Sequence, residues 1–262
     1  MNTPPGNPLM MPPQRRPVVV RAPRPPRPRF VVATGVPRRG WADAVVWPDT
    51  GVLLSMGVDA TLPFRFGAHS RARARLAGPV ARELRLQARP KAHADPSAVA
   101  RQQAAAVAAS VLLLGRDPLP TRDLTDADLK TVDAVAARLA ALSDDPTKRH
   151  GGEATCIVLA AREATEHPAT HLLLTNDGGA STVAHERGLS SRHAADVLAE
   201  MSCADPALDA GTCWRHHRTA VALSGIPGNA RPRGEEAFRC EADGAGRCPA
   251  CDRTGPAGPV SP

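Results

Sequence analysis

The stretch that most constrains the fold is a short, mainly apolar run, His171 to Thr175, between two segments with helical spacing. A run of this length is typical of a parallel strand covered on both faces. In the segment before it, Glu153 shares a helix face with Ile157 and Ala160, whose side chains favour burial. Gly178 to Leu189 provides the second helical segment. Helix, buried strand and helix in this order predict an α/β fold.

Two acidic residues of this stretch are placed to meet. Asp177 follows the predicted strand directly, and open α/β sheets bind their ligands at the carboxyl ends of their strands. Glu153 lies in the first turn of the preceding helix, on the face that favours burial. Two carboxylates in one crevice are costly unless a metal ion or a proton lies between them. The sequence therefore predicts a shared cation or proton at this edge of the sheet.

Composition excludes several classes of protein. Tyrosine is absent and the chain has only four Phe and three Trp, so aromatic platforms for stacking bases are not expected. The longest apolar run, Ala104 to Leu114, is 11 residues, well short of the roughly 20 needed to span a bilayer. The N-terminus has no signal-peptide pattern. We therefore expect a cytoplasmic protein with no membrane partner.

The formal net charge of +7 is concentrated at one end of the chain. Residues 1–40 contain eight arginines, 11 prolines and no acidic residue, which leaves a net charge of −1 for the remainder. Such a stretch cannot pack a core, so we expect it to be disordered or polyproline-like. It is interpreted either as an arm that attracts nucleic acid, or as a solubilising tail or a start codon assigned too far upstream.

The main domain is predicted to span residues 41–202. Near its start, Val45 to Trp47 has the pattern of a short buried strand, and Asp49 and Thr50 follow it. On its own, an aspartate in this position is usually a helix N-cap. A further helix is predicted from Ser190 or Ser191 to about Met201.

Glu83 stands out because it is the only acid among eight basic residues between Arg65 and Lys91. It lies close to the inner face of a predicted helix marked by Val80 and Leu84. One interpretation makes Glu83 a salt-bridge partner of the surrounding arginines. The other leaves those arginines to hold a phosphate backbone.

Residues 203–262 are predicted to form a tail rich in cysteine, glycine and proline. Cys213 and His216 form a C-x-x-H pair, and Cys248 and Cys251 form a C-x-x-C pair roughly thirty residues later. This spacing is typical of zinc ligands, and a small tail without a core would need such a link. The segment between the pairs has no hairpin pattern, so reduced thiols in a disordered tail are the alternative.

Taken in order, four acidic positions resemble those of the PIN-domain family of metal-dependent nucleases, which includes many toxins of bacterial toxin–antitoxin modules. The resemblance covers about Val45 to Met201 and is strongest in its last part, where A-x-x-x-G-L ends the pattern. The sequence contexts are the strand before Asp49, PVAREL with Glu83, GGEA with Glu153, and LLLTND with Asp177.

This resemblance implies a three-layer α/β/α domain with a mainly parallel central sheet and disordered N- and C-terminal extensions. It also implies that the four acids act together in catalysis and that three of them bind the metal ion. The implied catalytic residues are Asp49, Glu83, Glu153 and Asp177, the implied metal ligands are Asp49, Glu153 and Asp177, and Thr50 and Thr175 supply neighbouring hydroxyls.

The residue types favour the same chemistry. Carboxylate oxygens suit Mg²⁺ or Mn²⁺, which keep several waters and take further ligands from phosphate. A metal so held orients and partly deprotonates a water for in-line attack. We therefore expect a divalent-metal-dependent endoribonuclease, with RNA as substrate and a cognate antitoxin protein or a second copy of the chain as candidate partners. The alternative is a non-catalytic nucleic-acid-binding protein on the same fold, with a basic arm and a zinc-bound tail.

Overall fold

Short strands alternate with helices in a computed structural model that describes most of the chain between residues 44 and 238. The described ranges are 44–89, 96–116, 118–143, 150–167, 169–205, 207–224, 232 and 234–238, together with the backbone of 247–248 and 253–254. The predicted arm, residues 1–40, lies outside them. Within these ranges, no helix is long and apolar enough to cross a membrane.

The elements of the described ranges are named in chain order. The strands are β1 (Val45–Pro48), β2 (Leu76–Ala77), β3 (Thr121–Arg122), β4 (His171–Leu174), β5 (Ser190–Arg192), β6 (Arg247–Cys248) and β7 (Arg253–Thr254). The helices are α1 (Thr50–Met56), α2 (Leu62–Ser70), α3 (Gly78–Gln87), α4 (Pro96–Ala109), α5 (Val111–Leu114), α6 (Asp126–Leu142), α7 (Gly151–Glu166), α8 (Gly178–Glu186), α9 (Ala194–Ala204) and α10 (Ala210–Ser224). A 3-10 helix covers Glu235–Phe238.

Among the described residues, three parallel strands form the central sheet, in the order β1-β4-β5. Strands β1 and β4 pair in register up to Pro48 and Leu174, so their carboxyl ends lie side by side. All four residues of β4 are buried, as its apolar sequence predicts. Strands β2 and β3 form a second short parallel pair. The structure confirms an α/β fold with a small, mainly parallel sheet, and it is compatible with the predicted three-layer order.

Helix α7 packs against the sheet through its apolar face. Ile157 and Ala160 are fully buried, and they bring the first turn of α7, with Glu153, to the end of the sheet. Burying a side chain the size of Ile stabilises the folded state by about 1.5–3 kcal/mol, so this face fixes the helix firmly. Ile157 and Ala160, which share helical spacing with Glu153, are thus buried as their sequence pattern predicts.

Helix α1 follows β1 and is held in place by a close approach to α4. A Cβ atom added at Gly57, at the end of α1, would lie 1.9 Å from the backbone oxygen of Ala105. No side chain fits at such a distance, so a glycine is required for this packing. The close contact fixes the direction of α1 and therefore also the position of its N-cap residue, Asp49.

Two predicted features of the C-terminal half are corrected. Ser190 and Ser191 do not begin a helix: they belong to β5, and His193 is the N-cap of α9, with Asp196 completing its capping box. Strand β5 pairs with β4 through backbone atoms and presents a Ser-Ser-Arg sequence. A strand without apolar side chains carries none of the hydrophobic alternation by which strands are recognised.

The packed domain also extends past the predicted boundary at residue 202. Helix α10 packs against α1 and α9, and Cys213 and Ala220 are fully buried. Phe238 is buried in the same core. Cys213, His217 and Ala220 have the spacing of one helix face, but their small or polar side chains do not form a recognisable apolar stripe. That is the physical reason why the sequence suggested a tail here.

Candidate metal centre

Asp49 lies directly after β1, where it is the N-cap of α1. Its Oδ1 accepts a hydrogen bond of 2.7 Å from the backbone N–H of Val52, and its Oδ2 accepts one from the hydroxyl of Thr175. The residue is only 5% exposed. Both oxygens are therefore fixed by the ends of two neighbouring strands and by the helix that follows β1.

The environment of Asp49 disfavours its charge. Burial, together with the smaller effect of the negative charges of Glu153 and Asp177, raises its pKa to about 7 against the opposing effect of the hydrogen bonds from Thr175 and Val52. Glu153 and Asp177 therefore lie close enough to Asp49 for their charges to affect its ionisation. Without a cation, the protonated form of Asp49 is therefore favoured far more than that of an ordinary aspartate.

Thr175 joins Asp49 to Asp177. Its buried hydroxyl donates to Asp49 Oδ2 and accepts a 3.0 Å hydrogen bond from the backbone N–H of Asp177. Asp177 is the N-cap of α8, and its Oδ1 accepts a 2.9 Å hydrogen bond from the backbone N–H of Ala180. Each of the two strand-end aspartates thus begins a helix, where the positive end of the helix dipole favours a carboxylate.

Three potential metal ligands converge at this point. A ring nitrogen of His150 and carboxylate oxygens of Glu153 and Asp177 all lie within 4.8 Å of one another. His150 is 5% exposed, and among the described residues neither of its ring nitrogens has a hydrogen-bond partner. Asp49 lies beside this cluster and outside it. Glu153 and Asp177 were predicted as ligands from the sequence, whereas His150 was not.

A weak sequence signal for His150 exists. It stands three residues before Glu153 and immediately before the first residue of α7. Side chains three residues apart in a helix lie on the same face, so a histidine and a glutamate at this spacing are suited to a common ligand. The spacing alone does not separate such a pair from an ordinary polar helix start.

Glu83 lies at the side of the cluster, on α3. Its Oε2 accepts a 2.8 Å hydrogen bond from the hydroxyl of Thr50, and its Oε1 accepts one of 3.1 Å from Gln87. A Cβ atom added at Gly152 would lie 3.3 Å from Glu83 Oε2, so α3 approaches the first turn of α7 closely. In the described part of the chain, Glu83 forms no ion pair with an arginine, which disfavours the salt-bridge interpretation.

The charges of three of the predicted acids affect the pKa of the Cys156 thiol. It is fully buried in α7, and its Sγ donates to the backbone oxygen of Pro48 at 3.8 Å. Burial raises its pKa well above the ordinary value, and the charges of Asp49, Glu153 and Glu83 raise it further. All four predicted acids are thus brought to the carboxyl edge of the sheet: Asp49, Glu153 and Asp177 together, with Glu83 beside them.

The predicted zinc ligands are only partly within the described residues. Cys213 is fully buried in α10, where its Sγ lies 3.5 Å from the backbone oxygen of Leu198 and 3.9 Å from that of Leu208, either of which can accept the thiol hydrogen. Burial raises its pKa to about 12, which disfavours the thiolate that zinc requires. His216 is on the same helix, whereas the side chains of Cys248 and Cys251 lie outside the described residues. The zinc site stays a prediction, and Cys213 contributes to the core.

Helix α3 also carries exposed arginines next to Glu83. Arg82 and Arg85 are exposed, and in the described ranges neither forms an ion pair. Other arginines are engaged: Arg65 with Asp205 and Arg122 with Glu163. The positive charge nearest to Glu83 in the sequence therefore remains available to an anionic ligand.

Comparisons of the chain with protein-family models, with curated proteins and with solved structures give no match. The class of protein therefore rests on the α/β fold and on the geometry of the site. Membership of the PIN-domain family stays a prediction from sequence resemblance.

Proposed function

We propose that the protein is a divalent-metal-dependent endoribonuclease with a PIN-like domain. The observation that carries this proposal is the convergence of Glu153, Asp177 and the buried His150 within 4.8 Å, next to Asp49, at the carboxyl edge of a parallel sheet. This edge is where open α/β folds bind their ligands. Helix capping accounts for Asp49 and Asp177 one at a time, but it gives no reason to place Glu153 and a buried histidine beside them.

The residues fit a divalent cation. Carboxylate oxygens are suited to Mg²⁺ or Mn²⁺, and both cations leave coordination positions for water and phosphate oxygens. Burial raises the pKa of Asp49, and the negative charges of Glu153 and Asp177 act in the same direction. A cation held by Glu153 and Asp177 would offset those charges and stabilise ionised Asp49.

The protein side chains have separable tasks in this mechanism. A bound divalent cation supplies a water of lowered pKa and a positive charge opposite the phosphodiester. Glu153 and Asp177 hold the cation, and the N-cap hydrogen bond from Ala180 fixes the carboxylate of Asp177. Thr175 orients Asp49 through its hydroxyl. Glu83, held by Thr50, supplies a further negative charge at the side of the site.

Metal-dependent cleavage of RNA tests the proposal. We expect purified protein to cut an end-labelled single-stranded RNA in the presence of Mg²⁺ or Mn²⁺, and to leave it intact with a chelator. The Glu153→Gln variant, purified in parallel, controls for contaminating ribonuclease. Binding of RNA without cleavage under any of these metal conditions would overturn the proposal and support the non-catalytic alternative.

The arginines of α3 are expected to contact the RNA backbone. Replacing both Arg82 and Arg85 by glutamine should lower RNA affinity and reduce the slope of log affinity against log salt by about 1.4, since each lost contact to a single strand removes about 0.7. The matched control is Arg218→Gln, which removes an exposed arginine from α10. Binding should be measured in a chelator, so that cleavage does not interfere.

An unchanged salt slope in the double variant would show that α3 does not face the RNA. A slope reduced equally by Arg218→Gln would show that binding depends on net charge and not on this helix.

A further inference from the structure

Among the described residues, the ring of His150 makes no hydrogen bond that would stabilise the fold. It precedes α7 at the N-cap position, yet its side chain makes no capping hydrogen bond. The residue is 5% exposed, and in the described part of the chain both ring nitrogens lack a partner. Buried polar atoms are nearly always satisfied, so this ring calls for a ligand that the described residues do not provide.

The spacing of the cluster identifies the kind of ligand. His150 forms no ion pair with Glu153 or Asp177, although a ring nitrogen and the two carboxylates lie within 4.8 Å of one another. Ligand atoms about 2.1 Å from one metal ion, at bond angles of about 90° to 120°, lie roughly 3.0–3.6 Å apart. Atoms at the 4.8 Å limit of this cluster would therefore close by roughly 1–2 Å on binding a single ion.

We propose that His150, Glu153 and Asp177 form a mixed nitrogen–oxygen site for a first-row transition metal ion, with His150 as the ligand that selects Mn²⁺ or Co²⁺ over Mg²⁺. Imidazole nitrogen binds transition metal ions well, whereas Mg²⁺ prefers oxygen ligands and gives up its waters reluctantly. This inference rests on the proposed function and specifies the cation of that same site. It assigns His150 as a metal ligand, beyond the acids implied by the PIN-domain resemblance.

The position of His150 in the chain supports its role as a ligand. The pair His150 and Glu153 has helical i, i+3 spacing at the start of α7, so one helix end presents a nitrogen and an oxygen donor together. Asp177 belongs to a different helix start, that of α8, where its N-cap hydrogen bond fixes it. Ligands fixed by two separate helix starts give a preorganised site.

Pulsed electron paramagnetic resonance of Mn²⁺ bound to the wild-type protein tests the assignment directly. We expect a nitrogen hyperfine coupling of the size given by a coordinated imidazole, and we expect it to vanish in His150→Leu. Calorimetry should show that wild-type protein binds Mn²⁺ and Co²⁺ at least about ten times more tightly than Mg²⁺. In His150→Leu, affinity for Mn²⁺ and Co²⁺ should fall by about ten times or more, with little change for Mg²⁺.

His185→Leu is the matched control, because His185 is an exposed histidine on α8. Its metal affinities and its nitrogen coupling should equal those of the wild type. Absence of nitrogen coupling in wild-type protein would overturn the inference, whether or not the His150 variant folds. Equal Mn²⁺ affinity in the wild type and a folded His150→Leu would overturn it as well.

The same measurements separate this inference from the proposed ribonuclease activity. Nitrogen-coupled Mn²⁺ in a protein that cuts no RNA would support the metal site and overturn the ribonuclease proposal. Metal-dependent cleavage without nitrogen coupling would support the ribonuclease proposal and overturn the role of His150.

Discussion

Asp177→Asn is expected to lower metal-dependent RNA cleavage by a factor on the order of 100 or more while the protein stays folded. Asparagine is as good an N-cap as aspartate, so its side-chain oxygen can still accept the hydrogen bond from Ala180 at the start of α8. The substitution therefore removes one negative charge from the cluster and leaves the helix start intact. We expect partial recovery with Mn²⁺, which binds such sites more tightly than Mg²⁺.

The melting temperature of Asp177→Asn without metal should equal or exceed that of the wild type, because the substitution relieves repulsion among clustered carboxylates. Asp209→Asn is the matched control: Asp209 precedes α10 and accepts a 2.7 Å hydrogen bond from the backbone N–H of Thr212 in the same way. Its cleavage should be normal. An Asp177→Asn protein that melts earlier and cuts normally would show that Asp177 is a helix cap alone.

The metal-free protein is expected to lose stability through Asp49 as the pH rises from about 4 to about 7. Burial raises the pKa of Asp49 to about 7, so over this interval the folded state holds a proton that the unfolded state has released. Folding stability therefore falls as pH increases, by up to about 1.4 kcal/mol per pH unit. The whole contribution is on the order of 4 kcal/mol, fully present below pH 4.

Asp49→Asn should abolish this contribution. Urea unfolding in a chelator, measured across the interval, should give a smaller fall in unfolding free energy with pH for the variant than for the wild type. Asparagine also changes the hydrogen bond with Thr175, but that change shifts the curve without altering its slope, since neither amide nor hydroxyl titrates here. Parallel curves for the two proteins would show that Asp49 ionises normally.

The positions of Asp49, Asp177 and Glu153 in the site could be predicted from local sequence patterns. Asp49 and Asp177 each follow a short apolar run, and parallel strands bring such positions to one edge of a sheet. Glu153 shares the spacing of its buried neighbours on α7, so its direction was also predictable. These positions depend on the period of a helix or a strand, and that period is visible in the residues themselves.

His150 and β5 could not be predicted for different physical reasons. His150 is buried, and one histidine next to two glycines gives no local sign of that burial. Strand β5 is held through backbone hydrogen bonds to β4, to which its Ser-Ser-Arg side chains contribute no pattern. Features that depend only on tertiary contacts do not produce the hydrophobic periodicity from which helices and strands are predicted.

The hydrogen bond from Thr175 to Asp49 joins residues 126 positions apart. Contacts of this range form late, because a long segment must be ordered before the two strands can pair. During synthesis, Asp49 leaves the ribosome long before Thr175 and Asp177 have been made. A nascent chain that ends within α7 therefore contains His150 and Glu153 but lacks Asp177, the third ligand of the proposed metal ion. The ribonuclease proposed here would thus be unable to cut the messenger RNA from which it is being translated until β4 and the start of α8 had emerged.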